Sequence, residues 1–220
     1  MSALVGPTLL SFVVAGLGAL FGLPIAIALG HRLAHLRGVS RIALATLVLL
    51  PLALPPVVTG YLLLLLLGRR GPLGGLLAEL GIHVVFSTTG AVIAALVVGL
   101  PLYVVAARRA FESIDPRLID VARSLGASRR ARFWQIELPL ARRGIATGAL
   151  LAFARALGEF GATIVLAGDV PDRTRTLPLA VYAALARPGG EATAASLAMI
   201  SVALSVVALV LFELSAERGT

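Results

Sequence analysis

Apolar residues gather along this chain into five long runs, Thr8–Leu29, Ile42–Leu67, Ser87–Ala107, Gly144–Ala167 and Ala194–Leu214, separated by shorter polar stretches. About 20 apolar residues at a rise of roughly 1.5 Å cross the hydrocarbon core of a bilayer. Each run therefore predicts a membrane-spanning helix. A shorter run, Thr176–Leu185 (TLPLAVYAAL), cannot reach across and predicts a surface or re-entrant helix. The expected class is all-α and integral to the membrane, with five spans, or six if that short run enters the bilayer, in a single domain over residues 1–220. No basic residue precedes the first run in MSALVGPT, and the run is too long for a cleaved signal, so it predicts a retained span. Prolines at 24, 51, 55, 56 and 101 fall inside the runs. A lone proline predicts a kink. The pair Pro55-Pro56 removes two donors and pushes Pro55 out of the α region, so LPPVVTGY predicts a true break in the second span and a candidate lining for a pathway.

The polar stretch Asp115–Leu140 (DPRLIDVARSLGASRRARFWQIELPL) has a pattern of its own. Asp115-Pro116 starts a helix, with aspartate as N-cap and proline in the first turn. Leu118, Val121, Ala122 and Leu125 recur at i, i+3, i+4 and i+7 and form an apolar stripe. Gly126 ends that stripe and suits a left-handed C-terminal cap. Ser128 is placed to cap a second short helix carrying Phe133, Trp134 and Ile136, after which Pro139 starts the next span. A helix lying flat in lipid headgroups needs no glycine break followed by a second capped helix. A knob that docks on another protein does, while an ordinary amphipathic, arginine-rich cytoplasmic loop also fits these residues.

Composition narrows the function. The chain is 59% hydrophobic and 14% charged, against about 25% charged in a soluble domain. It has no cysteine, which excludes disulfides, thiolate metal sites and cysteine nucleophiles. All 19 basic residues are arginine, so no Gly-Lys-Ser/Thr phosphate loop exists and the chain cannot hydrolyse ATP by that route. The loop 30–41 holds three arginines and no acid; the loop 108–143 holds nine arginines against four acids. The loop 68–86 has two arginines and one acid, and 168–193 has three of each. Arginine-rich loops stay in the cytoplasm, so the expected N-terminus is outside and the C-terminus inside.

DVARSLGASRRARFWQIELPLA resembles the cytoplasmic coupling motif of ABC importer permeases: Glu-Ala-Ala, three residues, Gly, nine residues, Ile, one residue, Leu-Pro. Asp120-Val121-Ala122, Gly126, Ile136, Leu138 and Pro139 match that spacing, with Asp for Glu and Val for the first Ala. LPPVVTGYLLLLLLGRRGPLG, LAFARALGEFGATIVLAG and TRTLPLAVYAAL further resemble the permease of molybdate ABC transporters, over nearly the whole chain. The resemblance implies a type I ABC importer permease fold in a prokaryotic cytoplasmic membrane, moving molybdate or tungstate. Permeases for sulfate and thiosulfate share parts of these motifs. It implies a homodimer, two ABC ATPase subunits that carry the ATP and magnesium, and an extracytoplasmic oxyanion-binding protein, with no cofactor on this chain and no nucleic-acid partner. It also implies that Asp120, Ala122, Ser124, Leu125, Gly126, Ala127, Ile136, Leu138 and Pro139 meet the ATPase.

Arg155 and Glu159 are the charges placed well inside a span. An arginine at mid-bilayer costs roughly 2.5–3.5 kcal/mol on insertion scales. Four residues apart, the two meet on one helix face, either as a self-neutralising structural pair or as part of a pathway or gate together with Pro55, Pro56 and Thr59. Gly144 and Gly148 form a GxxxG pattern that suits close helix packing, within the chain or between two copies. His31, His35 and His83 are scattered along the chain and predict no metal site. A membrane enzyme needs convergent nucleophiles, acids or metal ligands, and a secondary transporter usually shows inverted repeats. Neither pattern is found in the sequence, so no catalytic residue is expected.

Overall fold

The computed structural model describes residues 4–217, with side chains through residue 214, so the ends of the expected 1–220 domain lie outside the described residues. Eleven α-helices and one π-helical turn make up the described residues, with no strand among them. Three helices are long and apolar enough to cross a bilayer: α1 (Val5–His35), α5 (Thr88–Glu112) and α11 (Glu191–Glu217, with Glu191–Leu214 as the apolar stretch). Pro24 and Pro101 sit inside α1 and α5 without breaking them.

Two expected spans are interrupted. The run Ile42–Leu67 is not one helix but α2 (Gly38–Ala53) and α3 (Pro56–Leu67), bent by 113° at the break. The cause is the pair anticipated above: Leu54 and Pro55 are extended, and Pro56 opens the new helix at its first position. After the short α4 (Gly74–Glu79) and α5, the chain forms α6 (Pro116–Ser124), α7 (Arg129–Arg132) and the π turn Phe133–Glu137. The run Gly144–Ala167 begins earlier than expected, in α8 (Leu138–Leu157), and is broken before α9 (Gly161–Leu166). The short run Thr176–Leu185 becomes α10 (Leu177–Leu185), nine residues long. Its first amide donates to the Ser11 hydroxyl of α1 at 2.7 Å, and Leu177 and Leu179 are fully enclosed.

α5 is the central post. Of its most apolar 18 residues 61% are buried, against 11% for α11, which shows its side chains to the surroundings. Small residues let the neighbours of α5 approach: a Cβ on Gly144 would stand 2.6 Å from the Ala110 methyl, and one on Gly148 2.7 Å from that of Ala106. The GxxxG face is thus spent on packing α8 against α5 within the chain. The helices also give the bundle two distinct ends. The start of α5 meets the end of α9 through a bond from Phe86 N–H to the Leu166 carbonyl at 3.1 Å. At the opposite end, Arg41 of α2 and Arg108 of α5 both hold the Glu112 carboxylate, at 2.8 and 2.9 Å.

Candidate functional site

The segment between α5 and α8 is built from local signals. Asp115 accepts the Arg117 amide at 2.9 Å and caps α6. At the other end Gly126 adopts φ +80, where a side chain is disfavoured. The Gly126 N–H bonds to the Arg123 carbonyl and the Ala127 N–H to that of Ala122, both at 3.0 Å. This 5→2 and 6→1 pair satisfies carbonyls the helix end would leave open. Ser128 then caps α7 by accepting the Ala131 amide at 3.2 Å. Asp120 pairs with Arg123 at 3.3 Å in water, and the Ser124 hydroxyl donates to the Asp120 carbonyl.

The expected second short helix is not separate. α7 runs through the π turn Phe133–Glu137 into α8, where the Leu138 N–H reaches back to the Phe133 carbonyl. Pro139 therefore does not begin a new helix but lies in the first turn of α8. In a regular helix its ring would collide with the carbonyl of Gln135; the widened turn makes room for it. α7, the π turn and α8 thus form one continuous helical stretch from Arg129 to Leu157.

Of the stripe predicted on α6, Leu118, Val121 and Leu125 have little cover from their own chain. Ala122 is the one α6 residue that is buried. Leu118 and Val121 are half exposed and Leu125 is 82% exposed; Trp134 of the π turn is also exposed, at 59%. Gly126 is open, Ala127, Ile136 and Leu138 are half-buried, and Pro139 faces outward. An apolar row left exposed on a doubly capped helix is an unusual feature for a surface that meets nothing.

The second cluster lies where the two broken spans meet. A Cβ on Gly60 of α3 would stand 2.7 Å from Ala162 Cα of α9, and one on Gly161 2.8 Å from Pro56. Arg155 and Glu159 do pair, at 2.9 Å, but not along one helix. α8 ends at Leu157, and Glu159 sits in the gap. Its other oxygen accepts the Ala162 amide at 2.7 Å, one of the unpaired donors at the start of α9. Glu159 is 3% exposed. The carboxylate thus neutralises the arginine and closes the helix break together. Thr59 is buried nearby with no hydrogen-bond partner for its hydroxyl, while Pro55 and Pro56 are exposed at the bend.

Sequence reasoning missed a third grouping. Glu137, in the π turn, is buried and accepts from His31 Nε2 at 2.6 Å, with His35 Nε2 4.0 Å away. The histidines that look scattered are thus two of a kind: His31 and His35 share a face of α1 at spacing i, i+4, while His83 is exposed in the loop before α5. Nothing in the sequence signals a contact over 106 residues; the i, i+4 histidine spacing was the available clue.

Comparison with known proteins gives a consistent picture. Residues 22–218 match the family described as "Binding-protein-dependent transport system inner membrane component". The "Molybdenum transport system permease protein ModB" of Escherichia coli (strain K12) is 47% identical over 216 residues, covering 96% of this chain and 94% of that protein. The protein of the same description from Haemophilus influenzae is 41% identical over 210 residues, covering 95% and 92%. Among solved structures, a chain of a bacterial alginate ABC transporter in complex with alginate pentasaccharide-bound periplasmic protein superposes with a TM-score of 0.74 at 19% identity, over 99% of this chain and 80% of that one, a likeness of fold.

Proposed function

The chain belongs to the family of binding-protein-dependent transport system inner membrane components, and on that premise we propose that it is the permease subunit of an ABC importer for molybdate, with tungstate as the nearest chemical substitute. The sulfate and thiosulfate reading has less behind it, since the relatives described above at 47% and 41% identity are both molybdenum permeases. The observation that carries the importer reading is the exposed row Leu118, Val121 and Leu125 on a helix capped at both ends.

In this reading two copies of the chain enclose the pathway. Two ATPase subunits bind α6 from the cytoplasm, and ATP and magnesium stay with them. Asp120, Ala122, Ser124, Leu125, Gly126 and Ala127 form the contact, and Ile136, Leu138 and Pro139 carry the movement into α8. An oxyanion-binding protein docks at the opposite end, near the loop in which Arg175 holds Asp169 by two bonds of 2.6 and 2.8 Å. The arginine distribution puts α6 inside and the N-terminus outside. Pro55 and Pro56 face the pathway, Thr59 lies buried one turn into α3, and the Arg155–Glu159 pair keeps the nearby break closed. A fixed positive charge attracts a dianion, and its carboxylate neighbour prevents tight trapping, so the ion can leave.

The test is reconstitution. Co-expressed with its ATPase and binding protein, the chain should co-purify with the ATPase, and molybdate-loaded binding protein should stimulate ATP hydrolysis in proteoliposomes. A chain that never retains the ATPase removes the reading. Stimulation by sulfate-loaded but not molybdate-loaded binding protein changes the substrate and leaves the mechanism.

A further inference from the structure

Near the end of α1, His31 and His35 converge with Glu137 from the π turn so that one ligand atom from each lies within 4.8 Å of the others. Their hydrogen bonds fix which nitrogen is free. His35 Nδ1 lies 2.8 Å from the His31 backbone oxygen, which can only accept, so Nδ1 carries the proton. In the neutral ring Nε2 of His35 then keeps its lone pair, 4.0 Å from the Glu137 carboxylate. A hydrogen bond from Nδ1 to a backbone carbonyl is the arrangement that orients metal-binding histidines. His31 Nε2 donates to the same carboxylate oxygen at 2.6 Å. The rings of Phe111 and Phe133 stand edge-on to His31 at 5.1 and 5.0 Å and hold it in place. Exposure is graded: the Glu137 side chain is 8% exposed, His31 31% and His35 56%, so the group opens to water on the His35 side.

We propose that His31, His35 and Glu137 form a binding site for a divalent transition-metal ion with the preferences of zinc. Two imidazoles and a carboxylate, with a fourth position left to water, are a zinc donor set, and i, i+4 histidines on one helix face are its usual carriers. Bonds of 2.0–2.2 Å at tetrahedral angles put ligand atoms roughly 3.3 Å apart. The two measured separations, 2.6 and 4.0 Å, bracket that value. Side-chain adjustments of under about 1 Å complete the geometry. The proton that His31 Nε2 now shares with Glu137 passes to its Nδ1 or to water when the ion takes its place. The π turn supplies the third ligand: Glu137 lies in it, buried and against His31 of α1, and such turns recur at functional sites. An ion here staples α1 to the root of the helix that carries the exposed α6.

The experiment uses the full chain without an affinity tag, purified in detergent, with zinc alone titrated calorimetrically and cobalt as a spectroscopic substitute. One zinc per chain is expected to bind saturably, and cobalt should give the visible absorption of a four-coordinate site. His35→Gln, the most exposed of the three and the least needed for folding, should weaken zinc by at least about tenfold and remove the cobalt band. Glu137→Gln should do the same. His83→Gln should change neither. Wild-type protein that binds zinc no more tightly than His35→Gln, or a cobalt spectrum that survives both substitutions, overturns the site.

Discussion

Of the places where this chain stops one helix and starts another within a few residues, two make a contrast. One is the gap Gly158–Phe160 between α8 and α9; the other is the turn Leu125–Ser128 between α6 and α7. The interior gap is closed by a buried carboxylate reaching forward to Ala162 and back to Arg155, with α3 packed against it through Gly60 and Pro56. The exposed turn uses local devices, the left-handed Gly126, the Ser128 cap and a bond from Arg132 Nη1 to the Ala127 carbonyl. The difference follows from the surroundings. At the interior break water cannot satisfy the freed amides, so side chains must. In water the turn needs only to be stiff. Local coding lets α6 keep its shape without help from the rest of the chain, as the coupling role proposed for it would require.

The comparison predicts that the interior break fails hardest. Glu159→Ala removes both the ion pair and the Ala162 acceptor. It is expected to cost about 3 kcal/mol, read as a lowered unfolding midpoint in detergent. Glu159→Gln keeps an acceptor and should cost less, while leaving Arg155 uncompensated and slowing transport. An alanine variant as stable as wild type means that something other than Glu159 holds the break.

The same substitution at two glycines sharpens the contrast. A Cβ on Gly60 would meet the Ala162 backbone at 2.7 Å, which cannot give way as a side chain tip can. Gly60→Ala should cost about 2 kcal/mol through overpacking. Gly126 has open space around it, so Gly126→Ala pays only for its φ of +80, about 1 kcal/mol. The loss should appear as uncoupling of ATP hydrolysis from uptake in a chain that still inserts. Equal stability losses at the two positions would erase the distinction. Ser128→Ala, which removes one N-cap, is expected at about 1 kcal/mol or slightly below.

How much could be read beforehand divides along the same line. The caps at Asp115 and Ser128 and the left-handed Gly126 are written in adjacent residues, so the α6 segment was legible almost to its ends. The break at Pro55-Pro56 was legible because proline acts on its own backbone. The break at Gly158–Phe160 was not: Glu159 looks like the i+4 partner of Arg155 on one helix, and only the approach of α3 shows why the helix stops there. The π turn escaped notice because no residue type announces it. The consequence was that the continuity of α7 with α8 and the meeting of Glu137 with His31 were missed.

Leu125 carries the smallest expected change in stability and the most informative one. It is 82% exposed, makes no buried contact with its own chain and follows directly on α6. Replacing it with aspartate adds a charge in water, and the expected change in stability is within about 0.5 kcal/mol. If α6 served only as a surface loop, transport would be unchanged as well. On the docking reading an unpaired carboxylate would be buried against the ATPase, a penalty of several kcal/mol that association cannot absorb. Leu125→Asp should therefore insert, fold and melt like wild type, yet fail to retain the ATPase on co-purification. On that reading stability and coupling come apart at this residue, because the surface it belongs to would be completed by another protein.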